Sequence, residues 1–171
     1  MPATKELFQK YQNPILIESG SYNGDGIQSG LESGFKKIYS IELSEKYFNV
    51  CIERFKINKN VILIFGDSSE KMSELLNIIK EPVTFWLDGH YSGEDTARGN
   101  QDTPLIQELE IINNHHIKTH KILIDDLRGW DHNTHGFDTL DLMKLILIIN
   151  PDYKFTLEDG YIKHDILTAI C

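Results

Sequence analysis

Short β-branched runs alternate with amphipathic stretches along most of this chain. The continuous apolar runs are Ile15–Ile17, Ile38–Leu43, Val61–Phe65, Val83–Leu87 and Lys121–Ile124. Runs this short and unbroken predict parallel strands buried on both faces, because one exposed face would impose alternation. Helical spacing fills the intervals at Gly26–Ser33, Ser44–Lys56, Ser69–Ile79, Pro104–His115 and Thr139–Ile149. Ser44 reads as a capped helix start, Pro104 as a first-turn proline, and Asn150-Pro151 as a stop. The alternation implies a Rossmann-like, doubly wound α/β sheet with right-handed crossovers. The end of the chain differs, since Tyr153–Glu158 and Tyr161–Ala169 flank Asp159-Gly160, a hairpin signal. The expected architecture is one domain over residues 1–171, with a mostly parallel seven-stranded sheet and a C-terminal antiparallel hairpin.

Composition narrows the partners. The chain has 171 residues, 40% hydrophobic and 25% charged, ample for a sizeable core. Its formal net charge of −9 offers no basic surface to nucleic acid or an anionic membrane. Cys51 and Cys171 form neither a zinc motif nor a disulfide framework, and Cys51 reads as a small core residue. No apolar run approaches spanning length and the first residues lack signal-peptide character, so the expected setting is reducing and cytoplasmic.

Chemistry gathers where strands end. Ile15–Gly26 reads Ile-Leu-Ile-Glu-Ser-Gly-Ser-Tyr-Asn-Gly-Asp-Gly, an apolar run closed by an acid and followed by a glycine-rich turn into a helix. Such a turn brings bare backbone close to a ligand, and helix N-terminal amides attract negative groups; a plain tight turn has the same composition. Glu42 closes the second strand at the separation expected of a nucleotide-binding unit, where an acid accepts from both ribose hydroxyls. The competing role is a helix-capping carboxylate. Asp67, in Gly66-Asp67-Ser68, suits an adenine amino group or a helix N-cap, or both. Trp86-Leu87-Asp88-Gly89-His90 and Ile124-Asp125-Asp126 set three carboxylates at the ends of two strands. Adjacent strands run about 4.8 Å apart, so these carboxylates can converge. Crowded carboxylates repel unless a cation neutralises them, and a hard divalent ion such as Mg²⁺ is the economical choice. Alternatively, one of the pair faces solvent and no metal binds.

In order and spacing these motifs resemble the catechol O-methyltransferase-like branch of class I S-adenosylmethionine (SAM)-dependent methyltransferases, which includes metal-dependent sugar O-methyltransferases. The resemblance covers roughly residues 14–130 and rests on Glu18-Ser-Gly-Ser-Tyr-Asn-Gly24, Ile41-Glu42, Gly66-Asp67-Ser68, Leu87-Asp88 and Ile124-Asp125-Asp126. It implies Glu18, Gly20, Ser21, Tyr22 and Gly24 around the methionine part of SAM. It likewise implies Glu42 and Leu43 at the ribose, Gly66, Asp67 and Ser68 near adenine, Asp88 beside the cofactor, and a metal triad of Asp88, Asp125 and Asp126.

Departures from that family matter. Its catechol-type members carry a lysine base shortly after the fourth-strand aspartate, whereas this chain has His90-Tyr91. His90 is therefore the candidate general base, with metal ligand, ligand-orienting group and plain loop histidine as alternatives. Only Thr4–Gln12 precedes the first strand, so a helical cap over the substrate is short or missing. Pocket walls must then come from Gly89–Asp102, from Arg128–Asp138, or from a second copy of the chain, which makes a homodimer a candidate assembly. The first of these segments is polar, suited to a lid, and its Arg98 could meet an anionic substrate group. His115, His116 and His120 cluster near a helix C-terminus, and His132 and His135 read as loop.

The expected activity is SAM-dependent methyl transfer to a hydroxyl of a small polar metabolite, such as a sugar or nucleotide-sugar. His90 and Asp88 are the candidate catalytic residues, and Mg²⁺ or another divalent cation assists. The alternatives are a non-catalytic SAM- or nucleotide-binding module and a nicotinamide-dependent oxidoreductase. Gly20-x-x-x-Gly24-x-Gly26 departs from the dinucleotide spacing that the last would require.

Overall fold

The computed structural model describes residues 3–89 and 103–171. Its sheet contains β1 (Ile15–Ser19), β2 (Lys37–Glu42), β3 (Val61–Phe65), β4 (Val83–Leu87), β5 (Lys121–Ile124), β6 (Lys154–Glu158) and β7 (Ile166–Ile170). They lie in the order β3-β2-β1-β4-β5-β7-β6. The first five pair in parallel, and β7 runs antiparallel to both β5 and β6. The order turns back at β1 and β4, and their carboxyl ends flank the crevice in which such sheets hold ligands.

The helices are α1 (Lys5–Lys10), α2 (Asp25–Ser33), α3 (Glu45–Phe55), α4 (Ser68–Leu76), α5 (Leu105–Asn114) and α6 (Thr139–Ile149). Side chains alternate across each strand, and this splits the core in two. Leu16, Ile38, Trp86 and Leu123 pack with Leu7 and Phe8 of α1, Ile27 of α2, and Cys51 and Phe55 of α3. Ile17, Ile41, Phe85, Leu87 and Ile124 face Met72 and Leu75 of α4, Leu109 and Ile112 of α5, and Leu142 and Ile146 of α6. Phe8 meets the Trp86 ring edge-on at 5.7 Å, so α1 is pinned to the middle of the sheet.

Three expectations are corrected. Val61–Phe65 is an edge strand, half-buried and ending on a 49%-exposed Phe65, since only β2 pairs with it. The C-terminal pair does not turn at Asp159-Gly160: β7 begins at Ile166, and the intervening loop closes with Gly160 N–H donating to Ile162 O at 2.9 Å. The side chain of Ser44 makes no cap to α3; its backbone N–H is taken instead by Glu42 Oε1 at 2.7 Å.

Candidate functional site

The turn after β1 is locked from below. Gly20 has φ +85°, and a Cβ there would stand 2.5 Å from the Asp88 carbonyl oxygen, so this position admits only glycine without displacing backbone. Its N–H donates to Ile41 O at 3.0 Å, while Asp88 N–H donates to Ser19 O at 3.1 Å. Three strand ends are thereby tied together. Tyr22 follows in the left-handed region with a half-exposed ring, and Gly24 caps α2 from the same region.

Beneath the turn, Glu18 is buried and accepts a hydrogen bond from Ser40 Oγ, which also lies 2.5 Å from Ser21 Oγ. Burial, reinforced by the charges of Asp88, Glu42 and Asp25, pushes Glu18 up to about 8. Glu42 is buried too, not solvated, and each of its oxygens is engaged. Oε2 accepts from Tyr22 N–H at 2.9 Å and Oε1 from Ser44 N–H at 2.7 Å. Each carboxylate oxygen retains a second acceptor position, so the geometry suits both a loop-fixing role and a hydroxyl-binding one. Leu43 beside it is half-buried.

At the ends of β4 and β5, Asp88, Asp125 and Asp126 each offer an oxygen, all within 4.8 Å of one another. Asp125 is buried, and desolvation together with the charges of Asp88 and Asp126 pushes it up to about 8. Asp126 takes φ +59° and pairs with Arg128 Nη1 at 2.5 Å; the same guanidinium nitrogen reaches the buried Asp165. Trp130 Nε1–H donates to Asp125 O at 3.0 Å and closes the underside. Three hard oxygen donors with a surplus of negative charge fit a divalent cation, and Asp88, Asp125 and Asp126 would hold it.

Asp67 ends the crevice on the other flank. It is the N-cap of α4, its Oδ1 accepting from Ser69 N–H at 2.9 Å and Ser69 Oγ–H at 2.7 Å. Gly66, at φ +141°, donates to Glu42 O at 3.0 Å, and Ser68 is buried. The neighbour that the motif reading missed is Glu108, buried in the first turn of α5 beside Ser68 and Ser19. Its signal was present: Leu105, Glu108, Leu109 and Ile112 share the i, i+3, i+4, i+7 stripe, so an acid stands on the apolar face.

Other expectations fall elsewhere. His90, Tyr91 and Arg98, with most of the polar segment Gly89–Asp102, lie outside the described residues. The segment Arg128–Asp138 does border the aspartates. His132 Nε2 lies 3.1 Å from Asp141 and 3.4 Å from Asp138, but these two acids form the capping box of α6. His115 and His120 make a buried ring pair at 2.9 Å, and His120 Nδ1 accepts from Val83 N–H at the opposite edge of the sheet.

No family model matches the chain, and no curated protein matches it. Solved structures do. An O-methyltransferase from Bacillus cereus in complex with S-adenosylhomocysteine (SAH) superposes with a TM-score of 0.69 at 16% identity, covering 98% of this chain and 78% of that one. An SAH-bound methyltransferase from Podospora anserina gives 0.63 at 12% identity, covering 97% and 75%. An rRNA methylase from Streptococcus thermophilus gives 0.61 at 13% identity, covering 97% and 93%. The likeness spans the whole sheet, including the antiparallel β7 that sets this order apart from a dinucleotide-binding one. This chain therefore has the seven-stranded fold of the class I SAM-dependent methyltransferases.

Proposed function

We propose that the chain is a SAM-dependent methyltransferase acting on a hydroxyl of a small polar metabolite such as a sugar or nucleotide-sugar. The observation that carries this reading is the meeting, at one sheet edge, of the Gly20–Gly24 turn with the Asp88/Asp125/Asp126 cluster. Glu42 would accept from the ribose hydroxyls, Asp67 and Ser68 would border adenine, and the turn from Glu18 to Gly24 would carry the methionine end. A divalent cation supplies Lewis acidity, lowering the pKa of an acceptor hydroxyl. Asp88, Asp125 and Asp126 would hold that ion, with Trp130 and Arg128 fixing the last two in place. The acceptor oxygen takes the methyl carbon, the C–S bond electrons return to sulfur, and the hydroxyl proton passes to a base. His90, next but one after Asp88, is the proposed base. The net charge of −9 speaks for a small acceptor over an RNA, although two solved neighbours are described as rRNA methylases.

Calorimetry with SAM, SAH and NAD, each with and without Mg²⁺, tests the reading. Binding of both SAM and SAH without NAD binding is expected, and failure to bind either sulfur ligand would sink it. Asp88→Asn separates an enzyme from a sensing module. It should keep SAH affinity within about threefold and lose Mg²⁺ binding and turnover by 100-fold or more. Wild-type turnover in that variant would remove the metal site from the mechanism.

A further inference from the structure

The two edges of the sheet are built differently. At one, β6 reads Lys-Phe-Thr-Leu-Glu, charged at both ends, and its Glu158 is engaged by Lys10 and Tyr11. Charges on an edge resist pairing with other chains. At the other, β3 reads Val-Ile-Leu-Ile-Phe, with no charge and no proline. An apolar edge of this kind is a template for a further strand. Its first four residues are only half-buried, whereas every residue of β1 and β4 is buried, and Phe65 is 49% exposed. Phe48 of α3 meets the Phe65 ring at 5.3 Å, and Ile52, one turn further along α3 and exposed, extends the same apolar rim.

Backbone direction decides what fits this edge. Asn60 O accepts from Ile38 N–H at 2.9 Å and Gly66 N–H donates to Glu42 O at 3.0 Å, so the even-numbered positions of β3 face β2. Val61, Leu63 and Phe65 therefore turn their peptide groups outward, to a side where no strand pairs among the described residues. We propose that a second copy of this chain docks here, β3 antiparallel to β3, about a two-fold axis at Leu63. In that register Leu63 exchanges both of its hydrogen bonds with its own counterpart. Phe65 N–H donates to Val61 O across the axis, and symmetry repeats the bond. Val61 N–H, already taken by Asn58 O at 3.0 Å, is not called on. The side chains agree with this register: Val61 meets Phe65, Ile62 meets Ile64, and at each end the exposed Lys59 stands opposite Asp67. Moving the axis by one residue would offer groups already spent on β2. An edge that is apolar at its centre and opposite in charge at its two ends is complementary to itself.

Sedimentation equilibrium of the full chain should show a reversible dimer of twice 19.7 kDa, with a dissociation constant of about 1–100 µM as befits a small interface. Phe65→Lys puts a charge on an exposed position of the edge and should weaken association at least about 20-fold, with an unchanged circular dichroism spectrum. Lys59→Glu alters an exposed side chain and sets like charges opposite each other at both ends, which should weaken the dimer about fivefold. Cross-linking reads the register directly. In a Cys171→Ser background, where the remaining Cys51 is buried, Leu63→Cys should form an intermolecular disulfide on mild oxidation, its Cα about 5.5 Å from its counterpart. Val61→Cys should not, because its counterpart lies four residues away across the axis. A wild-type chain still monomeric at about 500 µM would overturn the proposal. So would a dimer that neither Phe65→Lys nor Lys59→Glu weakens, or one in which Leu63→Cys cross-links no better than Val61→Cys.

Discussion

Single residues at the crevice carry opposing demands. Gly20 must place a turn against the Asp88 carbonyl, and Gly20→Ala brings a Cβ to 2.5 Å from that oxygen at a φ of +85°. Urea unfolding should show a loss of roughly 2 kcal/mol or more, with SAH affinity falling as well because the whole turn shifts. The buried acids make stability depend on pH in an unusual direction. Glu18 is pushed to about 8 and Glu108 to about 7, both chiefly by burial. The folded chain therefore retains protons that an unfolded chain has released by about pH 5. Stability falls as pH rises through the folded values and levels off once both groups are ionised. His115 and His120 are shifted down by burial, so their contribution is complete only once unfolded imidazoles have deprotonated above about pH 6.5, and it offsets part of this trend at the lower end of the interval. The melting temperature of wild type should drop between pH 6.5 and 8.5, and Glu108→Gln should flatten the slope. A melting temperature that rose over this interval would contradict the placement of these carboxyls.

At the scale of elements, the helices are set by their ends as much as by their faces. The α6 start is a capping box in which Asp138 accepts from Leu140 N–H at 2.8 Å and Asp141 N–H at 3.1 Å. Asp138→Ala should cost about 1 kcal/mol in chemical denaturation and leave SAH and Mg²⁺ affinities unchanged. Reduced Mg²⁺ affinity in that variant would instead make the neighbouring His132 cluster a metal site. Strand limits were largely legible in the sequence: Val61–Phe65, Val83–Leu87 and Lys121–Ile124 form strands over those same residues. Continuous apolar runs mark strands well, but they do not say which strand lies at an edge. Val61–Phe65 reads like its neighbours because α3 still covers one of its faces. The β6–β7 loop departs from the sequence pattern for a related reason. Asp159-Gly160 has turn chemistry, yet the chain continues outward until buried Asp165 engages Arg128.

Across the whole molecule, the candidate site was legible as far as its residues lie at strand ends in motif order. Glu18, Glu42, Asp67, Asp88, Asp125 and Asp126 all reach the same edge, since parallel strands deliver their carboxyl ends together. What the sequence hid were partners supplied by distant segments. Ser40 under Glu18 comes from β2, Asp165 beside Arg128 from just before β7, and Glu108 from a helix whose charge pattern looks solvated until its stripe is drawn. Such pairings depend on tertiary register, which no local spacing encodes.

The sheet order has a consequence for how this chain is made. β7 follows every other strand in sequence, yet it sits inside the sheet with β5 on one side and β6 on the other. A nascent chain emerging from the ribosome can assemble β1 to β5 while the slot beside β5 stays open, with its row of unpaired amides exposed to any passing strand. β6 cannot fill the slot, because in the finished sheet it pairs only with β7. Assembly is thus a keystone problem: Asp125 and Asp126, at the end of β5, gain their final surroundings only when the last-made strand drops into place. Until then the acidic crevice is unfinished, because Asp165, just ahead of β7, has not yet reached the Arg128 that also pairs with Asp126.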